Sequence, residues 1–175
     1  MLNLGVIQEM EKLLRELARL DLGYPIGVNL VRPAALPDAV TLSLSQVSEC
    51  AVKWLEPLYL KCNGLSFPDV HIGYFIKTMQ KIALFDRSSE PDTVLLDRRI
   101  GVLPFGSTGG GDLFVVDCES GGILLLPPGP LKAGLYDARK ANVRKIAGSI
   151  SEFMELLLND LMAFVNGDVN HIYIK

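Results

Sequence analysis

The sequence predicts an α+β fold: a single domain with a mostly antiparallel sheet flanked by helices. Three observations carry this. Apolar residues recur at helical spacing near each end of the chain, and five short apolar runs lie between residues 72 and 126, parted by turn-forming residues. The connections between the later runs are also too short for parallel crossovers, which need a dozen or more residues. At 175 residues and 49% hydrophobic content, the chain suits one domain with a buried core.

The elements follow in order. Val6, Met10, Leu13, Leu14, Leu17 and Leu20 make the stripe of an amphipathic helix, with charged residues between them and Gly23 and Pro25 as its stop. Residues 27–44 contain two prolines and read as an extended connector with one short strand at 40–44. Ser45 is a candidate N-cap for a second helix with Val47, Ala51, Trp54, Leu55, Leu58 and Cys62 on its inner face and Asn63-Gly64 as its stop. Pro57 should kink or break it.

Beyond Gly64 the texture turns strand-like, over residues 72–76, 93–96, 100–105, 113–116 and 123–126. The prolines at 127, 128 and 130 halt the last run. Ser149 with Glu152 three residues later is a capping-box pattern ahead of a wide apolar face from Ile150 to Val165. The domain reading is therefore a helix and proline-containing connector over 1–35, an α+β domain over 36–166, and a tail or short edge strand over 167–175.

Gly106, Gly109, Gly110, Gly111 and Asp112 read as a structural turn joining two strands, with Asp112 tethering it through local hydrogen bonds. A phosphate loop would open onto a helix and carry a following Lys-Ser or Lys-Thr pair, and neither is present. Ser107 lacks the spacing of a nucleophile elbow. His71 and His171 are a hundred residues apart with no acidic motif beside them, so the sequence supplies no metal site or catalytic triad. The expectation is a chain without enzymatic activity, cofactor or metal.

Charge gives a candidate surface. The formal net charge is −3, which does not suit a nonspecific nucleic-acid binder. From Asp86 to Glu119 seven acids face three arginines, a local net of −4. Asp86, Glu90, Asp92, Asp117 and Glu119 are the candidate contacts for a basic protein partner. Arg139, Lys140, Arg144 and Lys145 form a basic patch without interleaved aromatic residues, which reads as a solvated face.

Cys50, Cys62 and Cys118 are an odd set without a C-x-x-C pair. On one helix Cys50 and Cys62 would stand about 18 Å apart, beyond disulfide reach. The expectation is three reduced thiols in a cytoplasmic protein. No apolar run is long enough to span a bilayer, and no membrane partner is expected. The N-terminal helix, whose stripe needs burial, is a candidate homodimer surface.

Several pieces in order carry a resemblance: Leu36-Pro37 ahead of a helix, Cys62-Asn63-Gly64-Leu65, Leu103-Pro104-Phe105-Gly106, Gly111-Asp112-Leu113-Phe114 leading to Val116-Asp117, the glycine hairpin into Ile123-Leu124, and residues 146–153 opening a helix. This pattern, over roughly residues 36–165, resembles the SUKH superfamily, which includes bacterial immunity proteins and yeast cell-wall regulators. The resemblance implies a SUKH-like α+β domain that binds other proteins, in the immunity case a cognate polymorphic toxin such as a basic nuclease. It supplies no catalytic residue. The function it implies is toxin neutralisation by direct binding. The alternatives are a noncatalytic regulatory scaffold, or a small hydrolase or nucleotide-binding protein using Ser107 and the glycine run.

Overall fold

Asn3 starts the first helix by accepting the Gly5 amide on its side-chain oxygen at 3.0 Å, a cap worth about 1 kcal/mol. The structure is a computed structural model that describes residues 3–174. Helix α1 (Leu4–Leu17) buries Val6, Ile7, Met10, Leu13 and Leu17, so its apolar stripe is covered within the chain itself. The connector is not wholly irregular, because β1 (Leu30–Pro33) joins the sheet.

Residues 40–44 are not the expected strand. They lie in α2 (Pro37–Ser45), where Pro37 occupies the first turn, a position whose N–H has no helical partner to lose. Val40 and Leu44, four residues apart on one face, are both buried. The next helix, α3 (Glu49–Tyr59), begins later than expected, because Ser48 rather than Ser45 caps it by accepting the Ala51 amide at 3.1 Å. It also ends earlier. Pro57 lies in its last turn, and Cys62-Asn63-Gly64 belongs to β2 (Cys62–Phe67) instead of closing a helix.

The chain continues through β3 (Tyr74–Ile76), α4 (Met79–Ala83), β4 (Thr93–Leu95), β5 (Arg99–Thr108), β6 (Leu113–Asp117) and β7 (Ile123–Leu126). Then come β8 (Leu131–Lys132), β9 (Leu135–Asp137), β10 (Arg144–Ala147) and α5 (Ile150–Val165). The main sheet runs β1-β2-β3-β5-β6-β7-β10 with every pair antiparallel. A smaller branch, β4-β9-β8, leaves from the start of β5, and its β4–β9 pair is the parallel one.

The central strands are apolar at consecutive positions because both of their faces are covered. Phe114 and Val116 of β6 and Ile123 and Leu125 of β7 join the large core beneath α1, α3 and α5. Their neighbours Val115, Leu124 and Leu126 turn the other way, into a second core with Val94, Ile100, Val102 and Tyr136 under the small branch. Fully burying each such side chain stabilises by about 1.5–3 kcal/mol. Pro104 is tolerated mid-strand because the β5–β6 register shifts between it and Gly106.

Helix α5 starts as the sequence indicates. Ser149 Oγ accepts the Glu152 amide at 3.2 Å, and the Glu152 carboxylate reaches back to the Gly148 amide, one residue before the expected partner. No strand forms among the described residues of the tail. Its Ile174 amide donates to the buried Asp160 instead of to a sheet edge.

Candidate functional site

Three segments meet around a cleft of about 380 Å³ at one end of the sheet. Val47, Ser48 and Cys50 come from the α2–α3 corner, Ile82 and Phe85 from α4 and the residue run after it, and Asp92 and Cys118 from the sheet side. Cys50 and Cys118, with Cα atoms 5.1 Å apart, form a disulfide in its wall. This corrects the reading of three reduced thiols. The helical spacing that argued against a Cys50–Cys62 bond does not apply, since Cys62 lies in β2 beyond the end of α3, and spacing carries no information on a pair 68 residues apart that the fold brings together. Only Cys62 is a free thiol; burial pushes its pKa up to about 11. The thiol argument for a cytoplasmic setting falls with this correction.

Trp54 reinforces the same junction. Its indole N–H donates to the Cys118 carbonyl at 2.9 Å, and Lys53 Nζ sits 4.4 Å from its ring centroid. The β6–β7 turn is thus held to α3 by a covalent bond and a hydrogen bond four residues further along the helix.

Of the five predicted acids one lines this cleft, and three others stand next to a lining residue in the chain. Asp92 lines it directly, Asp86 follows Phe85, and Asp117 and Glu119 flank Cys118. Glu90 does not join them: it pairs with Lys77. Much of the charge counted from the sequence is neutralised locally. Arg87 pairs with Asp92 at 2.6 Å and Arg98 with Glu119 at 2.8 Å.

Asp86 and Asp117 have no cation at salt-bridge distance among the described residues, and local donors hold both anionic. The Ser88 hydroxyl and amide bond the Asp86 carboxylate and lower its pKa. Partial burial pushes Asp117 up, but the Ser120 hydroxyl, the Glu119 and Ser120 amides and the Arg98 charge outweigh it and leave the pKa lowered. Two further acids are exposed: Glu49, outside the acidic segment, and Asp97, one of the seven acids counted in it but not a candidate contact. Glu49 precedes Cys50 in the first turn of α3, and Asp97 lies in the β4–β5 turn beside Arg98; neither forms a salt bridge among the described residues.

The glycine segment is a turn between neighbouring strands, tied as expected by Asp112. The Thr108 amide donates to the Asp112 carbonyl at 2.8 Å, the Thr108 hydroxyl to its carboxylate at 3.1 Å, and Gly111 adopts φ +93°. Gly109 and Gly110 lie in the turn itself. Gly106 does not; it is a strand residue of β5, packed close to the Phe75 carbonyl and the Phe114 ring. Ser107 pairs with Phe75 across the sheet and has no histidine beside it.

The two histidines meet elsewhere, which their separation in sequence concealed. His71 stacks on Tyr173 with centroids 4.4 Å apart, and His171 contacts the same ring edge-on at 4.7 Å. Asp160, 2% exposed, anchors this group. Its carboxylate accepts the Tyr74 hydroxyl at 2.6 Å and the Ile174 amide at 3.0 Å, and lies 2.7 Å from His171 Nε2. Both carboxylate oxygens of Asp160 are engaged, so the cluster fastens the tail onto α5 and β3. No group of three or more potential metal ligands occurs among the described residues.

Fold and site together define an α+β protein with helices flanking a mostly antiparallel sheet and a disulfide-walled cleft that Asp92 lines, with further acids adjoining its lining residues in the chain. No helix among the described residues is long and apolar enough to cross a membrane. No family model, no curated protein and no solved structure matches the chain.

Proposed function

We propose that the chain is a protein-binding protein of SUKH type that neutralises a cognate toxin by direct contact, using this cleft as its docking surface. The observation that carries this reading is the cleft itself: Asp92 lines it, and Asp86, Asp117 and Glu119 each adjoin a lining residue, Phe85 or Cys118, in the chain. Acids so placed speed encounter with a basic partner such as a nuclease and disfavour acidic ones. The apolar walls, Val47, Ile82, Phe85 and Leu103, supply area to desolvate once the partner has docked. The compartment of action follows from the state of Cys50 and Cys118: a cytoplasm keeps them as thiols, whereas an oxidising compartment keeps them bonded.

The test is co-purification with the products of the neighbouring genes, followed by charge reversal at Glu49, Asp86 and Asp117. These acids form no salt bridge among the described residues, and because the Asp117 carboxylate also accepts the Glu119 and Ser120 amides the folded state of its variant is checked by the thermal unfolding midpoint. Each reversal is expected to slow association and to reduce its dependence on salt. A toxin captured with unchanged association rate by the triple variant would move the interface off this cleft; no toxin among the neighbours would favour the regulatory scaffold.

A further inference from the structure

The outer face of the main sheet is covered by the small branch over β5, β6 and β7, but not over β1, β2 and β3. That uncovered part is concave, with a cavity of about 350 Å³ between the strands and α4. One cross-strand row runs through it. Leu30 pairs with Ser66, Ser66 with Phe75, and Phe75 with Ser107, so a phenyl ring stands between two hydroxyls on adjacent strands. Three cations border the same cavity: Arg32 from β1, Lys77 just past β3 and Lys81 from α4.

Their partners separate these cations into two kinds. Lys77 is held by Glu90 and is half-buried. Arg32 and Lys81 form no salt bridge among the described residues, and the Ser66 and Ser107 hydroxyls make no protein hydrogen bond there. Two unpaired cations, two unengaged hydroxyls and one aromatic side chain thus face a single hollow. No carboxylate lines it. In a chain of net charge −3, a hollow whose lining carries three cations, only one of them neutralised by an acid, Glu90, is a local inversion of the overall field.

We propose that this hollow binds a nucleoside monophosphate group. Arg32 and Lys81 would hold the phosphate, with the Ser66 hydroxyl, on the strand next to Arg32, donating to one of its oxygens; Ser107, about 10 Å away across Phe75, would serve the sugar. Phe75 would offer its π-face to the base, an interaction every base can make and therefore tolerant of base identity. The volume sits at the low end of the range for small-molecule sites and suits one nucleotide rather than a dinucleotide. This site is separate from the disulfide-walled cleft and does not depend on the proposed partner.

The shared chemistry has two sources, a free nucleotide and the phosphorylated end of a nucleic-acid strand. Titration calorimetry on the intact protein distinguishes them, with adenosine monophosphate, inorganic phosphate and a 5′-phosphorylated dinucleotide as probes. Saturable binding of the monophosphate is expected, weakened about tenfold for each of R32Q and K81Q. F75L should weaken the monophosphate and leave inorganic phosphate unchanged. Tighter binding of the dinucleotide than of the monophosphate would assign the strand end as the source. Arg32 and Lys81 lie outside both cores, and the folded state of each variant is checked by its thermal unfolding midpoint. Absence of heat with all three probes at millimolar concentration, or equal affinity in the R32Q/K81Q double variant, would overturn the proposal.

Discussion

The six-membered ring of Trp54 occupies the space that a side chain on Gly121 would need: a Cβ placed there would overlap Cε3. Gly121 also adopts φ +75°, a region that disfavours side chains. The β6–β7 turn can therefore close against α3 only with glycine at this position. G121A should lower stability by about 2–3 kcal/mol, combining backbone strain with displacement of the indole. Urea unfolding of G121A, W54A and the double variant measures it. The double variant should lose less than the two single losses combined, because removing the indole relieves the overlap; simple additivity would show that the ring does not oppose a side chain at 121.

The Cys50–Cys118 bond closes a loop spanning 68 residues of sequence. Its removal in C50S/C118S should lower stability by about 2–4 kcal/mol, and dithiothreitol should shift the unfolding midpoint of the wild type but not of this variant. Thiol counting gives an independent check. Cys62 is buried and its thiol is pushed up to about 11, so the native protein should react with no thiol reagent, the denatured protein at one site, and the denatured, reduced protein at three. Three reactive thiols on denaturation without reductant would show that the bond is absent.

How much of this was legible in the sequence depended on how local its cause is. The α5 cap, the β5–β6 glycine turn and the β6–β7 hairpin are set by residues within a few positions of one another, and the sequence placed all three. Residues 40–44 of α2 look strand-like in sequence because β-branched Val40 and Thr41 lie among few apolar residues; only the burial of Val40 with Leu44 against the rest of the fold decides for a helix. Strands β1 and β10 depend on partners thirty and twenty residues away, so their own four residues carry no sufficient signal. The disulfide, the meeting of His71 with His171 at Tyr173, and the pairing of Asp92 and Glu119 with arginines are likewise products of tertiary approach.

Asp160 ties the tail to the domain through three protein donors, so altering it should act on the tail first. In D160N one acceptor becomes a donor facing another donor, which should lower stability by about 2–3 kcal/mol. Hydrogen exchange should accelerate at the Ile174 amide, and chymotrypsin should cleave after Tyr173 faster than in the wild type. H171A removes only the half-exposed member of the cluster and should lower stability less than D160N. Unchanged protection at Ile174 in D160N would remove Asp160 as the anchor.

Two buried tyrosines make the fold sensitive to alkali. Burial raises the pKa of Tyr59, whose hydroxyl donates to the Lys77 carbonyl at 2.7 Å. Burial, then the hydrogen bond to Asp160 and its negative charge, raise Tyr74. Both native hydroxyls keep protons that the unfolded chain releases above about pH 10, so the native state binds more protons and stability must fall as pH rises. Each tyrosine adds about 1.4 kcal/mol of loss per pH unit above that point. The Cys62 thiol, raised from 9.0 to about 11, adds the same sense of slope over that interval. Urea midpoints should therefore be flat to about pH 9 and then drop with increasing steepness, and Y59F, which has no proton to release, should remove one share of the slope. A midpoint that stays constant up to about pH 11 would mean that these hydroxyls reach water in the native state.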